Sequence, residues 1–150
     1  MNISRALSFD DVLLKPKLSD IATRSDIDLS LDLKNGKRMD LPVFAAPMDT
    51  IMSNAMARVV YDSGGIGIMH RYCEISEQVI ATQGAGKDHE CFAAVGITGD
   101  FQGRAHSLVT HGVSGICVDV AHGHHTSVAK AIEYLKTEFP HVHVMAGNIA

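Results

Sequence analysis

The alternation of short apolar runs with longer amphipathic runs limits the possible folds of this sequence more than any other feature. After an irregular first third, five runs have the length and continuous apolar character of buried strands. They span residues 41–47, 65–69, 91–97, 112–120 and 141–148. Between them, apolar residues recur at helical spacing in four segments, 54–65, 74–86, 103–112 and 126–139. The pattern therefore predicts five strands with a helix between each consecutive pair.

Strands that alternate with helices form a parallel sheet joined by right-handed crossovers, either doubly wound or closed into a (β/α)8 barrel. A doubly wound sheet concentrates its polar residues near one switch point, whereas a TIM barrel collects them at the C-terminal ends of many strands. Here polar residues follow every predicted strand: Asp49, His70 with Arg71, Thr98, Asp119 and Asn148. We therefore predict an α/β fold of the (β/α)8 TIM-barrel class, of which this chain supplies the first five strands only.

Five strands cannot close an eight-stranded barrel, and an open sheet edge exposes unpaired backbone groups. We therefore expect the sequence to be the first part of a longer protein. Residues 1–40 are predicted to be an N-terminal extension, and residues 41–150 the first part of the barrel.

Composition excludes several functional classes. The net charge of -4 argues against a nucleic-acid or membrane-surface binder, since those depend on a basic excess. No apolar run approaches the ~20 residues of a membrane span, and the charged N-terminus does not resemble a signal peptide. Three cysteines without a Cys-x-x-Cys pair predict neither a disulfide framework nor a zinc ribbon. We expect a cytoplasmic protein that acts on small molecules.

The segment VDVAHGHHTS, residues 118–127, offers two interpretations. His122, His124 and His125 could bind a metal together with a residue from another strand, as in a TIM-barrel metallohydrolase. Histidines clustered in a loop are also commonly just solvated. We predict no metal ligands in this chain and keep the metallohydrolase as the alternative from another reaction class.

Four motifs carry a resemblance to a known family. They are LSFDDVLLKPKLS (7–19), LPVFAAPMDT (41–50), GGIGIMHRY (64–72), and VDVAHGH (118–124) with AGN (146–148). In order and spacing they resemble the family that contains IMP dehydrogenase and GMP reductase. The resemblance implies a (β/α) barrel, a purine nucleotide monophosphate at its C-terminal face, a nicotinamide cofactor beside it and a homotetramer. It also implies that the N-terminal extension packs on the barrel and on a neighbouring subunit.

The resemblance further implies that the catalytic residue lies outside this chain. Chemistry in the family uses a cysteine on a loop after the sixth strand, so we expect that nucleophile after residue 150. Cys73, Cys91 and Cys117 are then not nucleophiles, and the 150 residues alone are expected to be inactive. A potassium ion, if present, and most of the phosphate-binding loops would also lie in the later part.

Within the family, TRSDIDLS (23–30) and the MHRY end of the second strand resemble GMP reductases, whereas APMDT and GGIG resemble IMP dehydrogenases. The paired CBS domains that many dehydrogenases insert are absent, because only GAGKDHE (84–90) separates helix from strand. We favour a reductase that converts GMP and NADPH to IMP, ammonia and NADP. The alternatives are a dehydrogenase that converts IMP and NAD to XMP, and a noncatalytic nucleotide-binding half-barrel.

Site residues follow from the resemblance, motif by motif. Asp119, with Val120 and Ala121, matches the segment beside the nicotinamide ribose, although an Asp there can also simply cap a helix. Met48 matches the methionine that packs against the purine, and Asn148 matches an asparagine near the substrate.

Three further residues match positions near the adenosine phosphates of the cofactor. Arg71 is supplied by the same subunit, whereas Thr23 and Arg24 would come from a neighbouring one. A guanidinium binds phosphate in a bidentate manner, although most arginines are solvated surface residues.

Overall fold

The structure is a computed structural model that describes residues 5–33, 38–84 and 89–149. Its helices and strands follow one another along the chain as β1 (Leu31–Asp32), β2 (Arg38–Met39), β3 (Phe44–Ala45), α1 (Asn54–Asp62), β4 (Ile66–Met69), α2 (Ile75–Gly84), β5 (Cys91–Val95), α3 (Phe101–Thr110), β6 (Gly115–Asp119), α4 (Thr126–Glu138) and β7 (His143–Gly147). Short 3-10 turns at Phe9–Asp11 and Arg24–Asp26 precede them. No helix in these described ranges is long and apolar enough to cross a membrane.

Strands β3 to β7 form one parallel sheet in which the spatial order is the chain order. Residues pair in register, for example Ala93 with Ile116 and Val118 with Ala146. A helix connects each consecutive pair of strands, and the order never reverses as it does in a doubly wound sheet. The predicted α/β fold is confirmed, and the curled five-stranded sheet is consistent with part of a TIM barrel.

The strands bury alternate residues on opposite faces of the sheet, as the twofold period of a strand requires. On β5, Ala93 and Val95 pack in the cluster that contains the helix residues Leu108 and Leu135. The other face holds a second cluster without helix residues, made of Met39, Ile66, Ile68, Phe92, Ala94 and Cys117. This face is the equivalent of a barrel interior, and it is filled by side chains.

The first predicted strand is much shorter than expected. We predicted residues 41–47, but only Phe44 and Ala45 pair with β4. Pro42 and Pro47 flank this pair, and proline has no N–H to donate to a ladder. Helix α3 begins two residues earlier than predicted, because the Asp100 side chain accepts a hydrogen bond from the Gly103 N–H at 2.9 Å. Residues 85 and 86, the predicted end of α2, lie outside the described residues.

The N-terminal segment contains an unpredicted antiparallel pair, β1 with β2. Met39 of β2 is buried in the interior cluster, so this end of the extension packs on the sheet. Residues 5–29 are exposed throughout, including apolar side chains such as Leu13 and Leu14.

Candidate functional site

Arg71 and Asp119 meet at the C-terminal ends of neighbouring strands. Asp119 is the last residue of β6, and Arg71 follows β4 by two residues. Arg71 Nε lies 3.9 Å from Asp119 Oδ2, and Arg71 Nη2 donates to the Asp119 backbone carbonyl at 3.3 Å. Between the two strands, Gly96 follows β5, and a Cβ built on it would lie 3.5 Å from Arg71 Nη1. The guanidinium therefore rests across the end of β5 and reaches β6.

The Arg71 guanidinium has hydrogen-bonding capacity that the described residues leave unused. Its Nε is buried and has no acceptor among them. The carbon at the centre of the guanidinium lies 5.1 Å from the centre of the Tyr72 ring, which supports the cation from one side. The side chains of Arg71 and Asp119 are 31% and 25% exposed. A partly shielded guanidinium with an unsatisfied N–H is suited to binding an oxyanion such as a phosphate.

The Asp119 carboxylate remains available as an acceptor. Its distance of 3.9 Å from Arg71 Nε is an ion pair but not a hydrogen bond. Within the part of the chain that the structure describes, no hydrogen bond to the carboxylate oxygens is seen. Hydroxyl groups of a sugar are typical donors to such a carboxylate, so the pair combines an acceptor for hydroxyls with a donor for anions.

The loop after β6 is fixed to the end of β7 by backbone hydrogen bonds. Val120 N–H donates to the Gly147 carbonyl at 3.0 Å, and Asn148 N–H donates to the Val120 carbonyl at 2.7 Å. Gly123 N–H then donates to the Asn148 carbonyl at 2.6 Å. A Cβ on Gly123 would lie 2.6 Å from that same oxygen, so glycine permits this close approach. The loop therefore carries Val120 and Ala121 past Asp119 in a defined path, with Asn148 beside it.

The histidines that follow do not form a metal site among the described residues. The rings of His122 and His124 are 6.5 Å apart, and His125 instead caps α4, its Nδ1 accepting from the Ser127 N–H at 3.1 Å. No group of three His, Cys, Asp or Glu side chains with suitable geometry occurs in residues 5–33, 38–84 and 89–149.

Met48 and Asp49 occupy the exposed loop between β3 and α1. The Met48 carbonyl accepts from the N–H groups of Ile51 and Met52 at 3.1 and 2.7 Å, which closes a tight turn. Met48 is 48% exposed and lies at the C-terminal end of the sheet. Helix α1 is capped by Ser53, whose side chain accepts from Met56 N–H, so Asp49 does not have that role.

Thr23 and Arg24 are not brought to the Arg71–Asp119 pair within the chain. Both lie in the exposed segment 5–29, where Thr23 N–H donates to the Asp26 side chain at 3.1 Å across one 3-10 turn. Their contribution to a neighbouring subunit's site therefore stays a prediction.

The three cysteines share one electrostatic property. Burial raises the pKa of the Cys91 thiol to about 11. The pKa of the Cys117 thiol is also raised to about 11, mainly by burial and to a smaller extent by the nearby negative charge of Asp119. Burial also raises the pKa of Cys73. A thiol rather than a thiolate is thus the form of Cys91 and Cys117 at neutral pH, and the thiolate is the nucleophile.

Two cavities are relevant to choosing a site. A cleft of about 300 Å³ opens beside Arg71 and Gly96 and is bordered by Thr98 and Phe101. A larger cavity of about 460 Å³ lies at the opposite, N-terminal end of β5, next to Cys91. We assign the site to the smaller cleft, because parallel strands of a barrel present their functional residues at their C-terminal ends.

No sequence pattern predicted a role for Gln78 or Arg104. Arg104 lines this cleft, and Gln78 lies buried behind it. Gln78 is fully buried on α2, and Arg104 on α3 donates to its side chain at 2.7 Å. The only available signal was that Gln78 adjoins the core residue Val79 on the helix, and that signal does not distinguish a buried amide from a solvated one.

Comparison with known proteins connects this arrangement to a family. The family model described as IMP dehydrogenase / GMP reductase domain matches residues 6–150. GMP reductase 2 of Mus musculus is 35% identical over 151 residues, which cover 95% of this chain and 43% of that protein. GMP reductase of Acidovorax ebreus is 32% identical over 146 residues, covering 94% and 43%.

A dehydrogenase is also among the relatives. Inosine-5'-monophosphate dehydrogenase of Nitrosopumilus maritimus is 45% identical over 78 residues, which cover 52% of this chain and 16% of that protein. The chain therefore spans less than half the length of the curated relatives it matches.

Proposed function

The chain belongs to the IMP dehydrogenase and GMP reductase family, and on this basis we propose that the whole protein is a GMP reductase. Members of this family are oxidoreductases of purine nucleotide metabolism. The reductase assignment is supported by relatives named GMP reductase that align with 94–95% of the chain. The motifs TRSDIDLS and MHRY support the same choice.

The proposed reaction converts GMP, NADPH and a proton to IMP, ammonia and NADP. The cofactor would supply the hydride that replaces the amino group on the purine ring. The nucleophilic cysteine, any potassium ion and most phosphate-binding loops would come from the protein outside these 150 residues, so the 150 residues alone would not turn over.

Arg71 and Asp119 are the residues that carry the proposal. Asp119 would accept hydrogen bonds from the nicotinamide ribose, with Val120 and Ala121 lining its path. Arg71 would bind a phosphate of the cofactor, and its buried Nε without an acceptor fits such an anion. A phosphate present in NADPH and lacking in NADH would explain a preference for NADPH.

The remaining expected contacts complete the site. Met48 would pack against the purine base, and Asn148 would lie near the substrate. Thr23 and Arg24 would reach the cofactor of a neighbouring subunit in a homotetramer. The exposed apolar side chains of residues 5–29 support burial of that segment in an assembly.

An IMP dehydrogenase is the second candidate, because the relative of that name has 45% identity over its aligned 78 residues. It would use NAD and convert IMP to XMP. The two candidates share the roles of Asp119 and Met48 and differ in the direction of hydride transfer.

The test is an activity measurement on the full-length protein. Purified protein is incubated with GMP and NADPH, and separately with IMP and NAD, while nicotinamide absorbance and the nucleotide products are followed. We expect NADPH consumption with formation of IMP and ammonia. Formation of XMP and NADH from IMP, with no reaction of GMP, would support the dehydrogenase and reject the reductase.

A further inference from the structure

Gln78 on α2 is fully buried although its side chain is polar. Its Nε2 donates to the Ala94 carbonyl at 2.9 Å and to the Met69 carbonyl at 3.4 Å. These carbonyls belong to the C-terminal ends of β5 and β4. Because a buried amide is costly unless its hydrogen bonds are made, this side chain is held in one orientation.

Arg104 on α3 extends the connection to the loop that follows β4. Its Nη1 donates to Gln78 Oε1 at 2.7 Å, and its Nη2 donates to the Cys73 carbonyl at 2.9 Å. Two neighbouring helices thus provide a planar guanidinium and an amide that hold each other. The five N–H groups of an arginine suit it to bridging two acceptors in this way, whereas a lysine ammonium has no such fork.

The residues 69–73 are therefore anchored at both ends. Gln78 holds the Met69 carbonyl, Arg104 holds the Cys73 carbonyl, and Arg71 lies between them. Arg71 itself makes only long contacts with Asp119, at 3.3 Å to the carbonyl and 3.9 Å to the carboxylate. Its position consequently depends more on the loop backbone than on its own side-chain contacts.

We propose that Gln78 and Arg104 are positioning residues that fix residues 69–73, so that Arg71 meets the phosphate that distinguishes NADPH from NADH. This inference rests on the proposed function, because it acts through the cofactor role of Arg71. Gln78 is fully buried and cannot touch a ligand. Arg104 lines the cleft, but its two Nη atoms already donate to the Gln78 side chain and the Cys73 carbonyl.

Cofactor binding rather than turnover is the decisive measurement, since it does not depend on which reaction the protein catalyses. Dissociation constants for NADPH and for NADH are measured by nicotinamide fluorescence on the full-length protein. The variants are Gln78→Met, which keeps volume and removes the hydrogen bonds, and Arg104→Met, on a less buried residue. Thr82→Val is the matched control, because Thr82 is also buried on α2 but, among the residues that the structure describes, its hydroxyl donates only to the Val79 carbonyl of the same helix.

We expect Gln78→Met and Arg104→Met each to weaken NADPH binding by roughly fivefold, with little change in NADH binding. This effect is smaller than the effect of losing a charge-assisted hydrogen bond outright, because Arg71 itself is still present. The double variant should be no worse than either single variant, because the two residues act as one unit. Thr82→Val should leave the ratio of the two constants unchanged even where it lowers the melting temperature. If Gln78→Met does not fold, Arg104→Lys decides instead, because a lysine keeps the positive charge at the cleft but lacks the fork that bridges Gln78 and the Cys73 carbonyl. Loss of the NADPH preference in Arg104→Lys would support the positioning role, and a retained preference would overturn it.

Arg71→Ala separates the phosphate role of Arg71 from the positioning role of Gln78 and Arg104. If Arg71→Ala removes the preference for NADPH while Gln78→Met and Arg104→Met retain it, the positioning role is wrong and the phosphate role survives. If Arg71→Ala leaves the preference intact, the phosphate role fails and the positioning role fails with it. Equal weakening of NADPH and NADH binding in Gln78→Met would mean that Gln78 has only a general structural role, and this result would also overturn the proposal.

Discussion

Arg71 and Asp119 should behave as one coupled unit in cofactor binding rather than as two independent contacts. Two unit charges about 4 Å apart attract by about 4 kcal/mol at an effective dielectric constant near 20. The separation here is 3.9 Å, but both side chains remain partly exposed, at 31% and 25%. Solvent screening and the cost of ordering the side chains reduce such pairs to at most about 1 kcal/mol in measured cycles. That energy corresponds to roughly a fivefold effect on a binding constant.

The assay is a double-mutant cycle on the full-length protein. The dissociation constant of NADPH is measured for the parent, Arg71→Ala, Asp119→Asn and the double variant. We expect each single variant to weaken binding, and the double variant to bind roughly fivefold more tightly than the product of the single effects implies. This non-additivity arises because Asp119→Asn also removes the negative charge that orients the Arg71 guanidinium, although the loop backbone still holds the residue in place.

A second cycle with Glu74→Gln is the control. Glu74 borders the same cleft as Arg71, but the structure gives it no ion pair with Arg71, so its effects should combine additively with Arg71→Ala. Additive effects of Arg71→Ala and Asp119→Asn would refute the idea that the pair acts as a unit. The two residues would then contact the cofactor separately.

Three further predictions concern neighbouring features. Gly123→Ala should destabilise the protein by about 1–3 kcal/mol, because the new Cβ would lie 2.6 Å from the Asn148 carbonyl oxygen; an unchanged thermal midpoint would contradict this contact. Replacing His122 and His124 together by Asn should leave metal content by elemental analysis unchanged, and stoichiometric zinc or iron lost in that variant would restore the metallohydrolase interpretation. The folded-state pKa of the Cys91 thiol is raised from 9.0 to about 11. The folded state therefore holds this proton more tightly than the unfolded state does, and the resulting contribution to the free energy of unfolding is complete below pH 9 and is lost as the pH rises to about 11. Denaturant titrations across this range should show a shallower decline for Cys91→Ala than for the parent, and identical declines would contradict the buried thiol.

The fold and the position of Arg71 and Asp119 within it were largely predictable from sequence. The alternation of apolar runs and helices gave all five parallel strands, and polar residues after each strand located Arg71 and Asp119 at one edge. The structure adds that β4, β5 and β6 are neighbours, so that these two residues touch across Gly96. Periodicity predicts which edge a residue occupies, but not the distance between side chains.

Other features had no readable pattern. The two-residue strands of the β1–β2 pair are too short for a twofold period to be recognised. Leu13 and Leu14 are apolar residues of the type found in cores, yet they are 97% and 99% exposed. The local sequence does not predict which surface would cover them. From the sequence, Gln78 resembles a polar residue on the surface of a helix. It is buried because the ends of the neighbouring strands and Arg104 pack around it, which the local pattern does not predict.

The measurement that tests the central claim most directly is the cofactor preference of Arg71→Ala in the full-length protein. Steady-state kinetics with GMP are determined for NADPH and for NADH in the parent and the variant. If Arg71 binds the phosphate that only NADPH carries, the Michaelis constant for NADPH should rise about tenfold to a hundredfold, as the loss of a charge-assisted hydrogen bond implies, while NADH use changes much less. Equal losses with both cofactors would contradict the role of Arg71, and a parent protein that oxidises IMP with NAD but ignores GMP would contradict the reductase assignment.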